Sequence, residues 1–559
     1  MFFSLIFVKL QGRKAIFVRS ISMQDSTKKN ILFAFAYAAV LAVGILLGQN
    51  YADENQPIGS TSFIPIGVTD KTGKVQKTLQ LIQERYVDKV GLDTLQDVAI
   101  VEMLARLDPH SAYFPPRKAQ TMEESLSGSF DGIGIEYFSI NDTLLVTSIV
   151  KDGPADKAGM LRGDKLIWIN DSLIAGVNRS REEIANLVRG RRGSNVNIWV
   201  NRAGKEIESP LKIRRDEIIV SSIDAAYIIE PQTAYIRIKR FGERTADEFD
   251  KALSDLSKNK VDKLILDLRE NGGGYFYSAL AVADNFFSAD KLLVYTAGAN
   301  EERVDYYSTA NGLFKEGELI VLIDENSASS SEIVAGAVQD LKRGTVIGRR
   351  SFGKGLVQEQ FDFGDGSALS LTVARYYTPL GRSIQKPYKI GNGKYFNELN
   401  QRFLSGELTQ NITRTDSVTN DGRIYQSSSG KLFKVNGGIM PDVYVPLDTT
   451  ALTPFYNQIQ EKGLISKFVY NQMISTPPSF AIENYIQDYE LPESTFAKFL
   501  QFVRDQGVFF SNGEVGISKK QLEGDIKALI GRYFFGNEAW FKVRNHQDYM
   551  IQRSLEVLH

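Results

Sequence analysis

Short apolar strands that alternate with helix-length amphipathic pieces predict a mixed α/β and α+β multidomain protein. Three observations carry that prediction. The runs "AYIRIKRF", "KLILDLR" and "ELIVLIDE" read as strands, the last two nearly continuous in Leu, Ile and Val. Such runs mark strands buried on both faces of a largely parallel sheet, and the helix-period pieces "TADEFDKALSDLSK" and "YSALAVADNFF" lie between them. Upstream, from Gly128 to about Ile213, strand-like runs, Gly-containing turns and one helical piece, "SREEIANLVRG", describe a small β-rich module. Beyond about residue 448 the chain reads as mostly helical and rich in aromatics.

Taken in order, residues 1–30 read as a cytoplasmic N-terminus, with Met23 an alternative start. Residues 31–48 follow as a transmembrane anchor. The segment "ILFAFAYAAVLAVGILLG", Ile31–Gly48, carries no charge; as a helix it spans about 27 Å, just enough for a bilayer core. Lys28 and Lys29 precede it and Asp53 and Glu54 follow, an asymmetry that predicts an extracytoplasmic, periplasmic location for the rest of the chain. Residues 49–74 read as a linker with Pro57 and Pro65. Residues 75–127 read as a helical region, since Val75, Leu79, Ile82 and Tyr86 keep a helical period and a second helix fits Leu95 to Leu107. The β-rich module is placed at 128–215, the α/β core at 216–447 with a polar insertion at about 389–433, and a helical C-terminal extension at 448–559. The length of 559 residues suits roughly three to four domains.

Composition is that of an ordinary globular protein, 43% hydrophobic and 24% charged, with a net charge of −1. No overall field argues for nucleic acid as a partner, so recognition must be local. The chain has no cysteine, which removes disulfides, thiolate nucleophiles and Cys-ligated zinc. The three histidines, His110, His546 and His559, are far apart in sequence, which argues against a His-based triad or a His-rich metal site. No metal and no cofactor are expected.

The stretch "GRRSFGKGLVQ", Gly348–Gln358, is a near miss for a phosphate-binding loop. Gly355 stands where Ser or Thr should hold magnesium, and the sequence after it alternates like a β-hairpin around "GDG" rather than opening a helix. A nucleotide site is therefore rejected. Upstream, "ENSASSSEIVAGAVQDLKRG" leaves a strand and opens a helix. Ser329 with Glu332 fits S-x-x-E, a capping box, and from this turn alone capping is the favoured reading. A nucleophile at the same place would have the next amide pointing into the electropositive helix end, as an oxyanion hole requires. Such a serine needs a base, and a lysine desolvated enough to be neutral can serve. Lys354, framed by Gly353 and Gly355, fits that need. Gln358, four residues on, would lie on the same strand face and orient its amine.

These motifs resemble the carboxy-terminal processing peptidases, Ser/Lys serine endopeptidases of the tail-specific type that carry a PDZ domain. The resemblance runs in order through "LDPHSAYF", "GIGI", "DLRENGGG", "SASSSEIVAGAVQD", "SFGKGLVQ", "ARYYTPLGRSIQ" and "GIMPDVYV", from about Val75 to Pro446. It implies Ser329 as nucleophile, Lys354 as general base, Gln358 as its support, and the amides of Ser330 and Gly274 as the oxyanion hole. Ser330 stands where the family often has Ala, which leaves the attacking serine open between Ser329 and its neighbour; Gly272 stands where Pro is common. The β-rich module resembles the PDZ domain, with Gly132, Ile133, Gly134 and Ile135 as its carboxylate-binding loop. Asp108 and His110 are read as turn residues, and Asp267 and Arg269 as supports of their turn. The resemblance implies cleavage of proteins with apolar C-terminal tails; a catalytically silent membrane-anchored PDZ scaffold is the alternative. An oligomer or an adaptor partner is left open.

Overall fold

The computed structural model describes residues 73–140, 142–388, 395–410, 424–426, 432–434, 437–474 and 481–559. The predicted anchor at 31–48 and nearly all of the predicted linker lie outside them. Among the described residues no helix is long and apolar enough to cross a membrane. The chain divides into two compact units, 1–90 and 91–559. In the first, Gly73–Arg85 is a helix, as its apolar period predicts, with none of its residues buried.

The second unit contains both predicted β-rich regions. Its six-stranded sheet runs Ile223–Glu230, Thr233–Ile238, Lys263–Asp267, Glu318–Ile323, Thr345–Gly348, Val443–Tyr444. The first pair is antiparallel and every later pair parallel. The near-continuous apolar runs have a physical reason, because both faces of this sheet are covered. Ile236, Leu264, Leu266, Val321 and Ile323 pack under Phe249 and Leu253 of the helix Thr245–Ser257 and Val334 and Val338 of the helix Ser330–Asp340. Tyr235, Ile265, Ile320, Leu322 and Ile347 point the other way, onto Met550, Ile551 and Leu558 of the last helix, Tyr549–Leu558. Each such aliphatic side chain contributes roughly 1.5–3 kcal/mol when fully buried. The C-terminal helix is thus the second layer over the parallel sheet.

A five-stranded antiparallel sheet stands beside it. Leu356–Asp362 and Ala368–Tyr377 form the hairpin expected around "GDG", and Ala112–Phe114 joins the second of these strands. The segment read as wholly helical therefore contributes a strand two residues after His110, which carries that turn to the hairpin. The PDZ-like module has a seven-stranded antiparallel sheet whose path starts at Ile135–Ile140 and Thr143–Ile149. Its helix Arg181–Val188 opens on a capping box, with Ser180 Oγ accepting Glu183 N–H (3.2 Å) and Glu183 accepting Ser180 N–H (2.8 Å). The strand Ser129–Gly132 pairs outside the module's sheet, with Asp216–Ile219. Of the polar insertion, residues 395–410 carry the helix Glu398–Leu404, and Ile424–Gln426 pairs with Leu432–Lys434.

The C-terminal extension is helical as predicted. Its longest helix, Asn512–Phe535, starts at a Ser511–Glu514 capping box and ends at Gly536, whose φ of 91° suits glycine.

Candidate active site

The strand Glu318–Ile323 ends at Asp324, and the serine-rich turn is built on that carboxylate. Asp324 accepts N–H bonds from Asn326 (3.1 Å) and Ser327 (3.0 Å), and one from Glu270 (3.0 Å) on the loop after Asp267. Burial raises the Asp324 carboxyl above its usual range. The chain then enters the helix Ser330–Asp340 through Ser329, whose φ is 54° and ψ −111°. A non-glycine residue held there costs about 1–3 kcal/mol, strain of the kind that collects at functional sites. The S-x-x-E pattern is indeed a cap, since Glu332 accepts the Ser329 N–H at 2.8 Å.

The neighbouring serines are committed elsewhere. Ser327 Oγ donates to the Leu268 carbonyl (2.8 Å), Ser330 Oγ to the Gly274 carbonyl (3.0 Å) and Ser331 Oγ to the Asn271 carbonyl (2.9 Å); all three residues are buried. Ser329 is only half-buried. Ser329 is thus the least enclosed of these four serines, while the hydroxyl of Ser330, the other candidate from the sequence, is bonded to a carbonyl.

Lys354 Nζ donates to Gln358 Oε1 at 2.8 Å, and Gln358 Nε2 donates to the His110 carbonyl at 2.5 Å. Lys354 precedes the strand that begins at Leu356, so the two meet at a strand entrance rather than along one strand face. Burial lowers the lysine pKa; the charges of Glu332 and Asp108 oppose this in part. His110 is itself pushed down to about 4, by burial first and then by the Lys354 charge. Its Nε2 shares a hydrogen bond with the Tyr395 hydroxyl (2.7 Å). Asp108 acts as the predicted turn residue, accepting from the N–H groups of His110 (2.7 Å) and Ser111 (2.8 Å).

Two side chains that sequence reasoning gave no role at the site join the serine turn to the lysine loop. Glu332, fully buried, takes the N–H groups of Ser329 and Lys354 (2.8 and 2.9 Å) on one oxygen. Its other oxygen takes Ser351 Oγ–H and Gly353 N–H (2.5 and 2.7 Å). Burial pushes its pKa up to about 7 against the pull of these four bonds. Tyr376, also buried, donates its hydroxyl to the carbonyls of Ser329 (3.0 Å) and Lys354 (2.5 Å). Glu332 was visible only as a cap, and Tyr376 only as part of "ARYYTPLGRSIQ".

The glycine loop closes over the serine. A Cβ on Gly273 would lie 2.8 Å from Ser329 Cβ and 3.1 Å from Ser330 N, and one on Gly274 would lie 2.0 Å from the Phe241 carbonyl oxygen. Their φ values, 100° and 148°, also exclude most side chains. Asn271, buried and likewise given no role by the sequence, donates to the Ile238 carbonyl (2.9 Å) and accepts Gly273 N–H (2.9 Å). That consumes the Gly273 amide. The amides of Ser330 and Gly274 have no hydrogen-bond acceptor among the described residues.

The predicted peptide loop lies in the PDZ-like module. Ile133 is fully buried, and its carbonyl accepts Ala155 N–H (2.9 Å). Gly134, with φ 76°, is pressed against Val150 and Ile218, so a Cβ would come within 3.2 Å of Val150 Cβ. Gly132 ends the strand Ser129–Gly132, and Ile135 begins an edge strand that has one strand partner among the described residues. Among the described residues no group of three or more His, Asp or Glu side chains is placed to hold a metal ion.

Residues 232–391 match peptidase family S41, residues 145–202 a PDZ domain, and residues 455–536 a family of unknown function. The chain is 34% identical over 352 residues to the carboxy-terminal processing protease CtpB of Bacillus subtilis, covering 61% of this chain and 72% of that one. It is 40% identical over 309 residues to the carboxy-terminal-processing protease of Bartonella bacilliformis, covering 54% and 70%. Among solved structures it is similar to the photosystem II D1 C-terminal processing protease, at 25% identity and a TM-score of 0.34, over 67% of this chain and 93% of that one. With its paired PDZ and peptidase regions and its identity to the Bacillus and Bartonella proteases, the chain belongs to the carboxy-terminal processing proteases of peptidase family S41.

Proposed function

We propose that this serine protease processes protein C-termini with Ser329 as nucleophile, Lys354 as general base and the amides of Ser330 and Gly274 as oxyanion hole. The observation that carries the assignment is the double clamp: Glu332 bonds the N–H groups, and Tyr376 the carbonyls, of both Ser329 and Lys354. The backbone of a strained serine and that of a lysine with a lowered pKa are thereby tied to the same two side chains, which supports their acting together in acyl transfer.

In the first step Ser329 Oγ bonds to the scissile carbonyl carbon and Lys354 takes the hydroxyl proton. The carbonyl oxygen becomes an oxyanion that the Ser330 and Gly274 N–H groups stabilise. The C–N bond then breaks, and Lys354 returns the proton to the leaving amine. Water, deprotonated by Lys354, hydrolyses the acyl-enzyme, and the proton returns to Ser329. Gln358 keeps the amine aimed without adding charge. The loop Gly132–Ile135 binds the terminal carboxylate, and an apolar tail pairs with the edge strand Ile135–Ile140. Residues 31–48 anchor the chain in the inner membrane with this site on the periplasmic side.

The test compares substrates that differ only in their last residues, with wild type, Ser329→Ala, Lys354→Ala and Ser330→Ala. Ser329→Ala and Lys354→Ala should each lower kcat on the order of 10⁴–10⁶-fold, while Ser330→Ala retains turnover. Cleavage that survives Ser329→Ala refutes the assignment. Sodium carbonate extraction of membranes tests the anchor, which requires the chain to stay in the pellet.

A further inference from the structure

The C-terminal extension, which neither the motifs nor the matched family of unknown function endow with a role, touches two parts of the protein on which the proposed chemistry depends. One end reaches the glycine loop. Asp548 caps the last helix, accepting Met550 N–H at 2.8 Å, and its other oxygen accepts Arg269 Nη1 at 2.6 Å. Arg269 lies five residues before Gly274 and is almost wholly enclosed, with 12% of its side chain exposed.

Arg269 also clasps the buried Asp267, through Nε (2.9 Å) and Nη2 (2.7 Å). Arg237 competes for the same carboxylate at 3.0 Å and donates to the Arg269 carbonyl at 3.1 Å. Two guanidinium groups thus share one buried anion, and Asp548 supplies the second negative charge at the Arg269 end. The next residues pass the constraint on. Glu270, at φ 61°, donates its N–H to Asp324, and the Asn271 carbonyl accepts Ala328 N–H (3.0 Å) beside Ser329.

The other end of the extension holds the PDZ edge strand. Glu136, Phe138 and Ile140 share one face of that strand by its period of two. Glu136 meets Arg532 at 3.2 Å, the Phe138 ring lies 5.1 Å from that of Tyr470, and Ile140 is buried in the extension's own apolar cluster. Arg162 of the module donates to the Tyr533 carbonyl.

We propose that the C-terminal extension is a strut between the PDZ edge strand and the oxyanion loop, in which Asp548 is a positioning residue that holds Gly274 in place through Arg269. This rests on the Ser329 and Gly274 assignment above. Removing the Asp548 charge leaves Arg269, among the described residues, with the Asp267 carboxylate alone, which it shares with an Arg237 that also pairs with Glu270 at 2.7 Å, and the loop that presents the Gly274 amide loses its outer tether.

The experiment uses the full chain with Asp548→Asn and Asp548→Glu. Asn caps a helix about as well as Asp, so Asp548→Asn removes the ion pair and keeps the cap. With a short quenched peptide that lacks a tail for the PDZ loop, Asp548→Asn should lower kcat about tenfold or more while KM stays within about twofold. Labelling of Ser329 by a fluorophosphonate should slow by a similar factor, and Asp548→Glu should restore most of both. An unchanged kcat in Asp548→Asn overturns the strut. So does a loss that Asp548→Glu does not restore, or one that matches the unfolded fraction measured by circular dichroism in the same sample. Failure of the probe to label Ser329 in the wild-type chain overturns the nucleophile assignment itself, a result distinct from any change in kcat between variants.

Discussion

Glu332→Gln separates the cap from the clamp, because it keeps the shape of the side chain and changes what its oxygens can accept. The wild-type carboxylate takes four donors, two on each oxygen, at 2.5–2.9 Å. A glutamine keeps one oxygen for one pair and turns its amide, itself a donor, toward the other. Two buried donors then lack an acceptor, at about 1–3 kcal/mol each. An opposing effect has similar size. The folded pKa of about 7 against an ordinary 4.5 means that Glu332 makes folding about 3 kcal/mol less favourable at neutral pH than at low pH, where it is protonated in both states. The two nearly cancel, so the fold should survive while the register between Ser329 and Lys354 is lost. A misplacement of about 1 Å can cost on the order of 10²-fold in rate, so kcat should fall by that order.

The pH dependence sharpens this prediction. A carboxyl whose folded pKa is raised contributes stability that is full below the unfolded value, near 4.5, and is lost as pH rises through about 7. In urea melts the wild-type chain should therefore lose stability relative to Glu332→Gln across that window, by about 3 kcal/mol. The Glu332 charge also raises the Lys354 pKa, so its removal should move the acidic limb of kcat/KM to lower pH. A kcat within twofold of wild type, together with a stability difference that stays flat from pH 5 to 8, would refute the clamp.

Gly274→Ala would set a Cβ 2.0 Å from the Phe241 oxygen, so the loop must shift; kcat should drop about 10²–10³-fold in steady-state assays. Tyr376→Phe removes the donor to the Ser329 and Lys354 carbonyls; a loss of about 1–3 kcal/mol in urea melts is expected, with kcat falling more than KM changes. In the wild-type chain kcat/KM should rise with pH through a Lys354 pKa lowered from 10.5, and Lys354→Arg should stay inactive throughout, since a guanidinium does not deprotonate. Because the folded lysine holds its proton less tightly than the unfolded one, its contribution to stability should increase as pH rises from the lowered value to 10.5, measurable by comparison with Lys354→Met.

The parallel strands and the hairpin were legible because each is written in local pattern. Continuous Leu, Ile and Val in Lys263–Asp267 and Glu318–Ile323 required cover on both faces, though the sequence did not say what supplied the second. The cover is Met550, Ile551 and Leu558, more than two hundred residues further on. Lys354 and Gln358 were paired correctly by their spacing of four, yet the argument from strand period does not apply to a residue that precedes its strand. The roles of Asn271, Glu332 and Tyr376 in joining these segments were illegible for one shared reason. Each reaches at least one backbone group of a distant segment, and a backbone amide or carbonyl has no residue type for a motif to record.

Ser329 shows why capping and catalysis need not compete. A cap requires a residue out of helical conformation whose N–H is satisfied by the glutamate three positions on, and Glu332 does this at 2.8 Å. A nucleophile requires the next amide to be unclaimed and to sit at the positive end of the helix, which is a property of every first helical turn. What distinguishes this cap is that its glutamate is wholly buried and has a second pair of donors to serve. An exposed capping glutamate stabilises one helix end. Here the same carboxylate also holds Ser351, Gly353 and Lys354, so the residue that fixes where the helix begins also fixes where the proposed base stands. Substitutions at Glu332 should therefore act on catalysis in proportion to how many of those four donors they still accept, with Asp, Gln and Ala forming a graded series in kcat, and equal activities across that series would show that the helix cap is all the glutamate provides.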